Sequence, residues 1–407
     1  MSQENARLPL SHIKVVDLTR VLSGPFAAMI LADMGASIVK IERPGTGDDS
    51  RAFGPFQKDE SAYFMNINRN KKSICVDLKT EGGKEVFRRL VKDADVVLEN
   101  FRPGTMRRMG LGYEDLKLLN PRLIYASISG FGNTGPYSER AAYDIIVQAM
   151  SGLMSVTGEA GGKPVRVGVS VGDLVAALYG VIGILTALVN RDVTGKGQSV
   201  DVAMLDSQVS FLENAVARYF VNGEAPKPIG NRHPSIVPFE SFDTSDSSLV
   251  IAVGNDALWK KFCACIGEAD MAGDPRFTSN PLRNENYKEL KAILDDMFAG
   301  RTTAEWIGIL DGAGIPCSPI NTIREIVSHP QLKAREMFVE VAHPKAGKTT
   351  VVGIPVKLGS TPGSVRTPAP TLGQHGREIL TGLGYSAGAI EELERMGAVA
   401  LEGSKSA

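Results

Sequence analysis

Short β-rich runs alternate with helical segments through the first half of the chain, and this alternation limits the possible folds more than any other feature. Each run is separated from the next by a segment long enough for a helix. Because parallel strands need such crossover connections, the pattern predicts an open, mostly parallel α/β sheet. We predict strands at residues 13–17, 37–42, 73–78, 95–100, 122–129 and 199–204, and helices at residues 25–34, 83–92, 113–119 and 205 to about 220.

Basic residues and glycines concentrate near the ends of these predicted strands. Arg43-Pro44-Gly45 follows the second strand, Asn100-Phe101-Arg102 follows the fourth, and residues 68–72 precede the third. Ligands of open α/β sheets bind beyond the carboxyl ends of the strands, and cationic side chains there suit a polyphosphate. Ordinary solvated lysines and arginines are the competing interpretation.

Composition excludes several classes of protein. The 407 residues suffice for two domains, and the formal net charge of −1 gives no general attraction to nucleic acid or to a membrane surface. Four scattered cysteines do not form a disulfide framework, and the first residues lack the pattern of a signal peptide. We therefore expect a cytoplasmic protein, with neither nucleic acid nor a membrane as a partner.

Asp173 stands where a short polar segment meets an uncharged run, residues 174–189. The run predicts a buried helix that is shorter than a membrane span needs. Asp173 would then be the N-cap or a first-turn residue, where unpaired N–H groups and the helix macrodipole keep a carboxylate ionised. On local grounds a capping role alone and a chemical role both remain open.

Two glycine motifs suggest other activities. Residues 130–135 match G-x-G-x-x-G, but the segment that follows does not read as the helix that a dinucleotide requires. Residues 168–172 match G-x-S-x-G between a predicted short strand at 165–167 and a helix, which would make Ser170 the nucleophile of an α/β-hydrolase-like serine esterase or thioesterase. No oxyanion segment precedes Ser170, and the downstream histidines lie in turn-like or surface-looking segments, so this activity is kept as an alternative.

The composition and the order of predicted elements change in the second half of the chain. Residues 221–238 are rich in proline, glycine and asparagine and predict a linker. A strand and several helices follow at residues 239–325, which we interpret as a smaller domain. Residues 1–220 then form the first part of a large α/β domain.

Several segments, taken in order, resemble the family III CoA-transferases of the CaiB/BaiF type, most of all the acetyl-CoA:oxalate and succinyl-CoA:glutarate enzymes. The segments are Leu18-Thr19-Arg20-Val21-Leu22-Ser23-Gly24-Pro25, Lys40-Ile41-Glu42-Arg43-Pro44-Gly45, Asn68-Arg69-Asn70-Lys71-Lys72-Ser73, Glu99-Asn100-Phe101-Arg102-Pro103-Gly104, Tyr143-Asp144, Gly172-Asp173 and Thr194-Gly195-Lys196-Gly197-Gln198. The resemblance runs from about residue 8 to residue 375. It implies a Rossmann-like large domain formed by both chain ends, in which residues 326–407 form a linker and then return to the large domain. It also implies a smaller α+β domain and an interlocked homodimer.

The resemblance also implies the site. The family's catalytic aspartate falls on Asp173, and no metal or permanently bound cofactor is expected, since CoA and acyl-CoA are substrates. Residues of the Gly230–Phe239 loop, Arg232 and His233, are candidates for contact with the acid substrate. The implied CoA contacts are Arg20, Arg43, Val76, Asp77, Leu78, Lys79, Asn100, Phe101, Arg102, Arg108, Ala141, Ala142, Tyr143 and Asp144.

The implied reaction moves CoA between short-chain carboxylic or dicarboxylic acids through an aspartyl anhydride and an aspartyl-CoA thioester. A racemase branch of the same family uses a histidine beside an aspartate, whereas this chain has Tyr143-Asp144, so the base of a racemase is missing. An acyl-CoA-binding protein without turnover is a further alternative. The donor and acceptor acids are left open.

Overall fold

The computed structural model describes residues 7–403, which form two compact units. The first unit contains the chain up to Leu153, Arg166–Ala217 and the chain from Pro330 onward. The second contains Met154–Val165 and Arg218–His329. The predicted linker at 221–238 and residues 154–165, predicted in the large domain, thus both lie in the second unit. They belong together because the Gly230 N–H donates to the Gly158 carbonyl at 2.9 Å.

The elements alternate as the sequence pattern predicts. The strands are β1 (Lys14–Asp17), β2 (Ser37–Glu42), β3 (Phe56–Gln57), β4 (Glu60–Ser61), β5 (Lys71–Val76), β6 (Val96–Glu99), β7 (Ile124–Ser129), β8 (Ser199–Ala203), β9 (Phe239–Asp243), β10 (Ser248–Ala252), β11 (Cys317–Pro319), β12 (Phe338–His343), β13 (Gly347–Val352) and β14 (Val399–Ala400). The helices are α1 (Ser23–Asp33), α2 (Ala62–Ile67), α3 (Glu81–Lys92), α4 (Thr105–Arg108), α5 (Tyr113–Leu119), α6 (Asp144–Met150), α7 (Leu153–Val156), α8 (Val171–Thr194), α9 (Met204–Ser210), α10 (Glu213–Asn222), α11 (Asp256–Cys265), α12 (Asn280–Glu285), α13 (Tyr287–Phe298), α14 (Thr303–Gly312), α15 (Ile323–Ile326), α16 (Pro330–Ala334), α17 (Gly376–Gly382) and α18 (Ala387–Arg395). Two short 3₁₀ turns lie at Asp49–Ala52 and Ala269–Gly273.

The first unit is built on one sheet with the strand order β14-β5-β2-β1-β6-β7-β8. All neighbours are parallel except β14, which pairs antiparallel with β5 through Val399 and Val76 and so brings the end of the described chain into the sheet. The parallel strands follow the doubly wound order, in which the chain direction across the sheet reverses between β1 and β6. Ligands of such sheets bind at that switch point.

Helices cover both faces of this sheet, as two separate apolar clusters show. One cluster joins α1 and α8 to one face through residues such as Ala28, Ile128 and Ala176. The other joins α3 and α17 to the opposite face through Phe87 and Leu380. Parallel strands covered on both faces are expected to be buried along their whole length, as β6 and β7 are.

The second unit has a different construction. Its sheet has the order β11-β10-β9, and both pairs are antiparallel. Helices α11, α13 and α14 pack on it through a core that includes Trp259, Phe298 and Trp306. It is an α+β unit.

Helix α8 corrects the prediction of a short, buried helix at 174–189. It runs from Val171 to Thr194, and Gly195 ends it in the left-handed region at φ 73°. One face is buried on the sheet, whereas Ile182 and Val193 on the other are 57% and 84% exposed. Within residues 7–403 it is the one helix long and apolar enough to cross a bilayer, with a mean hydropathy of 2.0. Half of that stretch is buried in the first unit, as in many core helices.

Two other local predictions were wrong. The helix predicted from residue 205 to about 220 is broken into α9 and α10, because the chain turns at Phe211 and Leu212. The short strand predicted at 165–167 does not form. The G-x-S-x-G segment therefore lacks the strand–turn–helix context that a nucleophile elbow requires.

Candidate active site

Two cavities lie beyond the carboxyl ends of the strands, at the switch point between β1 and β6. The first has a volume of about 420 Å³ and the second about 210 Å³. The loop after β1 lines both, because Arg20 contributes to each, and so does Phe101 from the loop after β6. The two cavities therefore adjoin at the switch point of the sheet.

The first cavity brings together one group of the sequence-predicted residues. Its walls come from the loops after β1, β2, β5 and β6, which is why residues far apart in sequence meet there. The predicted residues that line it are Arg20, Arg43, Val76, Asp77, Leu78, Lys79 and Phe101. Arg43 and Arg20 both pair with Asp49, at 2.5 and 3.2 Å, and both are partly exposed.

The second cavity contains Asp173 and another group of predicted residues. They are Arg20, Asn100, Phe101, Arg102, Ala141, Ala142 and Tyr143. Arg140 also lines this cavity, and its guanidinium lies 4.5 Å from the centre of the Tyr137 ring. Sequence reasoning missed Arg140 because a single arginine in an irregular segment carries no pattern.

Asp173 is the third residue of α8, in its first turn, and not its N-cap, which is Ser170. Burial, and next the charge of Asp144, raises the pKa of Asp173 to about 7, against a smaller lowering by the Ser23 hydroxyl. The expectation that the helix terminus alone keeps this carboxylate ionised was therefore wrong. Desolvation and the negative charge of Asp144 both favour the protonated carboxyl at this position.

Asp144, predicted as a CoA contact, lies buried beside Asp173. One carboxylate oxygen accepts the Gly172 N–H at 2.8 Å, and the other accepts the Gln148 side-chain amide at 2.7 Å. Arg166 lies 3.5 Å away and pairs with it. Asp144 thus occupies the N-terminus of α8 that the sequence assigned to Asp173, and it places a negative charge close to the candidate nucleophile.

The raised pKa of Asp173 predicts a pH-dependent rate, since only an ionised carboxylate is a nucleophile. For a reaction in which Asp173 is the nucleophile, we expect kcat/KM to rise about tenfold between pH 6 and pH 8, following ionisation near pH 7. Asp144→Asn removes the neighbouring negative charge and should move this rise to lower pH. Asp206→Asn, an exposed acid on α9, is the control and should leave the profile unchanged. A profile that is flat in the native enzyme would contradict this assignment.

Tyr63 is a second site residue that sequence reasoning missed. Burial, followed by the charges of Asp173, Asp48 and Asp144, raises the pKa of its hydroxyl to about 12. The hydroxyl therefore stays protonated and able to donate a hydrogen bond near the candidate nucleophile. No sequence signal was available, because Tyr63 lies in the short helix α2, which has no motif.

The basic cluster at residues 68–72 does not face a ligand. Arg69 is buried and bonds Asp33 at 2.7 Å, and Lys71 is buried and bonds Asp17 at 3.0 Å. Lys72 is exposed and pairs with Glu378. The suggestion that this cluster contacts a polyphosphate was wrong, because its charges are already used to hold the fold.

The remaining predicted residues lie elsewhere. Arg108, in α4, donates to the Thr105 hydroxyl at 3.1 Å and is outside both cavity linings. In the second unit, the Arg232 guanidinium stacks 3.5 Å from the centre of the Tyr287 ring. His233 accepts the N–H groups of Ser235 and Ile236 at Nδ1, both at 3.1 Å, so its ring holds its own turn.

Three competing interpretations find little support in the site. Across residues 7–403, no hydrogen bond joins Ser170 to a histidine, as a serine hydrolase would require. In the same described range, no group of three or more His, Cys, Asp or Glu side chains is arranged to hold a metal ion. Loop 130–135 leads to α6, which begins only at Asp144, so it is not the start of a dinucleotide-binding helix.

Comparison with known proteins identifies relatives along nearly the whole chain. The model of CoA-transferase family III matches residues 10–376. The chain is 44% identical to the succinyl-CoA:glutarate CoA-transferase of Mus musculus over 95% of this chain and 89% of that protein. It is 45% identical to the acetyl-CoA:oxalate CoA-transferase of Acetobacter aceti, over 91% of this chain and 95% of that protein.

A solved structure shares the fold as well. The crystal structure of a CaiB/BaiF family protein from Brucella suis matches with a TM-score of 0.83 at 39% identity. The match covers 93% of this chain and all of that one. At this identity over almost the full length, the relationship is one of family and not of fold alone.

Proposed function

The chain belongs to CoA-transferase family III and is a CoA-transferase; on this basis we propose that it moves CoA between short-chain dicarboxylic acids through a covalent intermediate on Asp173. The observation that carries the proposal is the position of Asp173. It is the half-buried carboxylate of the second cavity, which adjoins the larger cavity at Arg20 and Phe101.

The two cavities suit the two ends of an acyl-CoA. The nucleotide end carries phosphates, and the first cavity offers the guanidinium groups of Arg20 and Arg43 and the ammonium of Lys79. The thioester end would reach the second cavity, where Asp173 lies. Asp49 pairs with both arginines in their present positions, so a phosphate would compete with Asp49 for them.

The proposed reaction proceeds by bond exchange alone. The Asp173 carboxylate attacks the donor thioester, which forms a mixed anhydride and expels CoA thiolate. The thiolate attacks the aspartyl carbonyl, which gives aspartyl-CoA and releases the donor acid. The acceptor carboxylate then attacks aspartyl-CoA to form a second anhydride and free thiolate, and the thiolate attacks the acceptor's carbonyl to give the new acyl-CoA and restore Asp173.

Each tetrahedral intermediate needs hydrogen-bond donors for its oxyanion. Helix α1 begins at Ser23, beside Asp173 in the second cavity, so the N–H groups of Ser23 and Gly24 have no partner within the helix. These amides, and the hydroxyl of Tyr63, are the donors we propose. Asp173 is half-buried, and this limits the access of water, which would hydrolyse either anhydride.

The named relatives act on glutarate, oxalate, mesaconate and citramalate, and this supports a dicarboxylate on at least one side. A matrix of acyl-CoA donors against succinate, glutarate, oxalate, mesaconate and acetate, read by mass spectrometry, tests the proposal. We expect CoA exchange for at least one dicarboxylate pair without ATP or added metal. Hydrolysis of acyl-CoA that is abolished by Ser170→Ala, with no exchange for any pair, would support the hydrolase in its place.

We also propose a homodimer in the cytoplasm. The exposed face of α8 carries Leu178, Ile182, Leu185 and Val189, which are between 36% and 67% exposed in a single chain. A contiguous apolar helix face of this kind is unfavourable in water unless it is covered, and a second copy of the chain is the partner we propose. Light scattering should give twice the mass of one chain, and Ile182→Lys should weaken the association. A native protein that stays monomeric at micromolar concentration would contradict the dimer.

A further inference from the structure

Val21 has an unusual backbone conformation for its residue type. Its φ is 68°, in the left-handed region, where a β-branched side chain is sterically disfavoured. The other non-glycine residues with positive φ in the described part of the chain are Lys58, Asp59, Asn70 and Glu336, and none of them is β-branched. Strain of this kind persists only where the surrounding structure enforces it.

Hydrogen bonds on both sides of Val21 enforce this conformation. Asn100 accepts the Arg20 N–H and donates to the Arg20 carbonyl, both at 2.8 Å. Asp48 accepts the Val21 N–H at 3.0 Å. The segment is thus held between the loops that follow β2 and β6.

The buried side chain of Lys40 also stabilises this arrangement. The Lys40 ammonium lies 2.8 Å from the second carboxylate oxygen of Asp48 and donates to the Thr19 carbonyl at 2.7 Å. Both side chains of this pair are fully buried. Lys40 therefore fixes Asp48 and the residue two positions before Val21 at the same time.

The strained residue is followed directly by the part of the loop that lies beside the nucleophile. Leu22 and Ser23 line the cavity that contains Asp173. The Val21 side chain packs in a small apolar cluster with Leu22 and with Leu174, the neighbour of Asp173. The direction taken by the chain at Val21 thus decides where the Ser23 N–H lies relative to Asp173.

We propose that Val21 is a positioning residue whose enforced left-handed backbone holds Leu22 and Ser23 in register with Asp173. This rests on the proposed function of the site. A residue at position 21 that can adopt other backbone angles would let Leu22 and Ser23 move relative to Asp173. The binding cavity for the nucleotide end would be affected less, because most of its lining comes from other loops.

A matched pair of variants at one position separates backbone conformation from side-chain packing. Val21→Ala removes most of the side chain but keeps a Cβ, whereas Val21→Gly also removes the restriction on φ. We expect Val21→Gly to lower kcat by about 10- to 100-fold with little change in KM for acyl-CoA, and Val21→Ala to lower kcat by less than about threefold. Because glycine is unstrained at this φ, the thermal midpoint of Val21→Gly should be no lower than that of Val21→Ala.

The control is Glu336→Gly, which relaxes another left-handed residue outside both cavities, at φ 53°, and should leave kcat unchanged. Amide hydrogen exchange gives a readout that does not depend on turnover. The amides at positions 20 and 21 donate to Asn100 and Asp48, and their protection should fall in Val21→Gly and persist in Val21→Ala. Equal losses of kcat in both variants, or full activity and protection in Val21→Gly, would overturn the proposal. Absence of exchange in the native enzyme would instead contradict the proposed function, and hydrogen exchange would still test Val21.

Discussion

Asp173→Asn is expected to lower the rate of CoA exchange by at least about 10⁴-fold, because the amide cannot form the anhydride on which the proposed mechanism depends. Binding of CoA should persist, since the cationic lining of the first cavity is unchanged. Calorimetric titration with CoA separates the two effects. Loss of binding together with activity would show that the variant had lost its structure and not only its nucleophile.

The same substitution should raise stability at alkaline pH. Burial raises the pKa of Asp173 to about 7, so the folded state binds a proton that the unfolded chain releases near pH 4. The favourable contribution of that proton is present in full below pH 4 and is lost as the pH rises through 7. At pH 8 the native enzyme therefore contains a destabilising buried charge that Asp173→Asn lacks.

Thermal unfolding at pH 5 and pH 8 checks this point. Asp173→Asn should gain stability relative to the native enzyme on going from pH 5 to pH 8. Asp192→Asn changes an exposed acid on the same helix and should show no such gain. A variant that retains exchange, or one that is less stable at pH 8 than the native enzyme, would contradict the role and the environment assigned to Asp173.

The second large effect concerns the buried pair of Lys71 and Asp17. Neither side chain is exposed, and the Lys71 ammonium also donates to the Pro25 carbonyl and to Asn68, both at 2.9 Å. Lys71→Met would leave Asp17 as a buried charge without the ammonium that pairs with it. We expect this to lower the free energy of unfolding by about 3–5 kcal/mol. Burial lowers the pKa of Lys71 to about 8, so urea denaturation at pH 7 is the suitable measurement.

Its neighbour provides a matched control. Lys72 pairs with Glu378 at 2.6 Å, but both side chains are about half exposed. Lys72→Met should therefore cost less than about 1 kcal/mol. The double variant D17N/K71M, which removes both buried charges, should be more stable than Lys71→Met alone. Equal losses of unfolding free energy in Lys71→Met and Lys72→Met would show that burial does not determine how much these ion pairs contribute to stability.

Strand and helix positions in the sheet could largely be predicted from the sequence. β2 and α5 have the predicted bounds, and most of the other predicted strands and helices of the sheet domain differ by a few residues at an end. This succeeded because buried parallel strands are short apolar runs, and because the crossover helices between them are bounded by glycine and proline. The two-residue strand β14 was not predicted, since its pairing with β5 depends on contacts distant in sequence.

Charge environments could not be predicted. Lys71 and Lys72 are adjacent and identical in type, yet one is buried in an ion pair and the other is exposed. Asp173 and Asp144 are 29 positions apart in the sequence. The sequence pattern therefore does not show that Asp144, and not Asp173, accepts a hydrogen bond from the N-terminus of α8. Only the folded chain shows which carboxylate is hydrogen-bonded and which is desolvated.

Chemical identity came from the resemblance and not from local pattern. The segment around Ser170 matches a hydrolase motif, and the absence of the strand before it could be seen only in the folded chain. The family matched along residues 10–376 supplies the CoA-transferase activity. The physical contribution of the fold is to place the candidate nucleophile in a cavity beside a larger one that is lined by Arg20, Arg43 and Lys79.

The most direct test of the mechanism follows oxygen atoms. The enzyme is incubated with succinyl-CoA and glutarate labelled with heavy oxygen, or with the pair that the substrate matrix identifies, and its peptides are analysed by mass spectrometry. Each turnover should transfer one acceptor oxygen to the nucleophilic carboxylate, so the peptide that contains Asp173 should gain about 2 and then about 4 mass units. CoA exchange that proceeds while this peptide remains unlabelled would contradict the covalent role of Asp173.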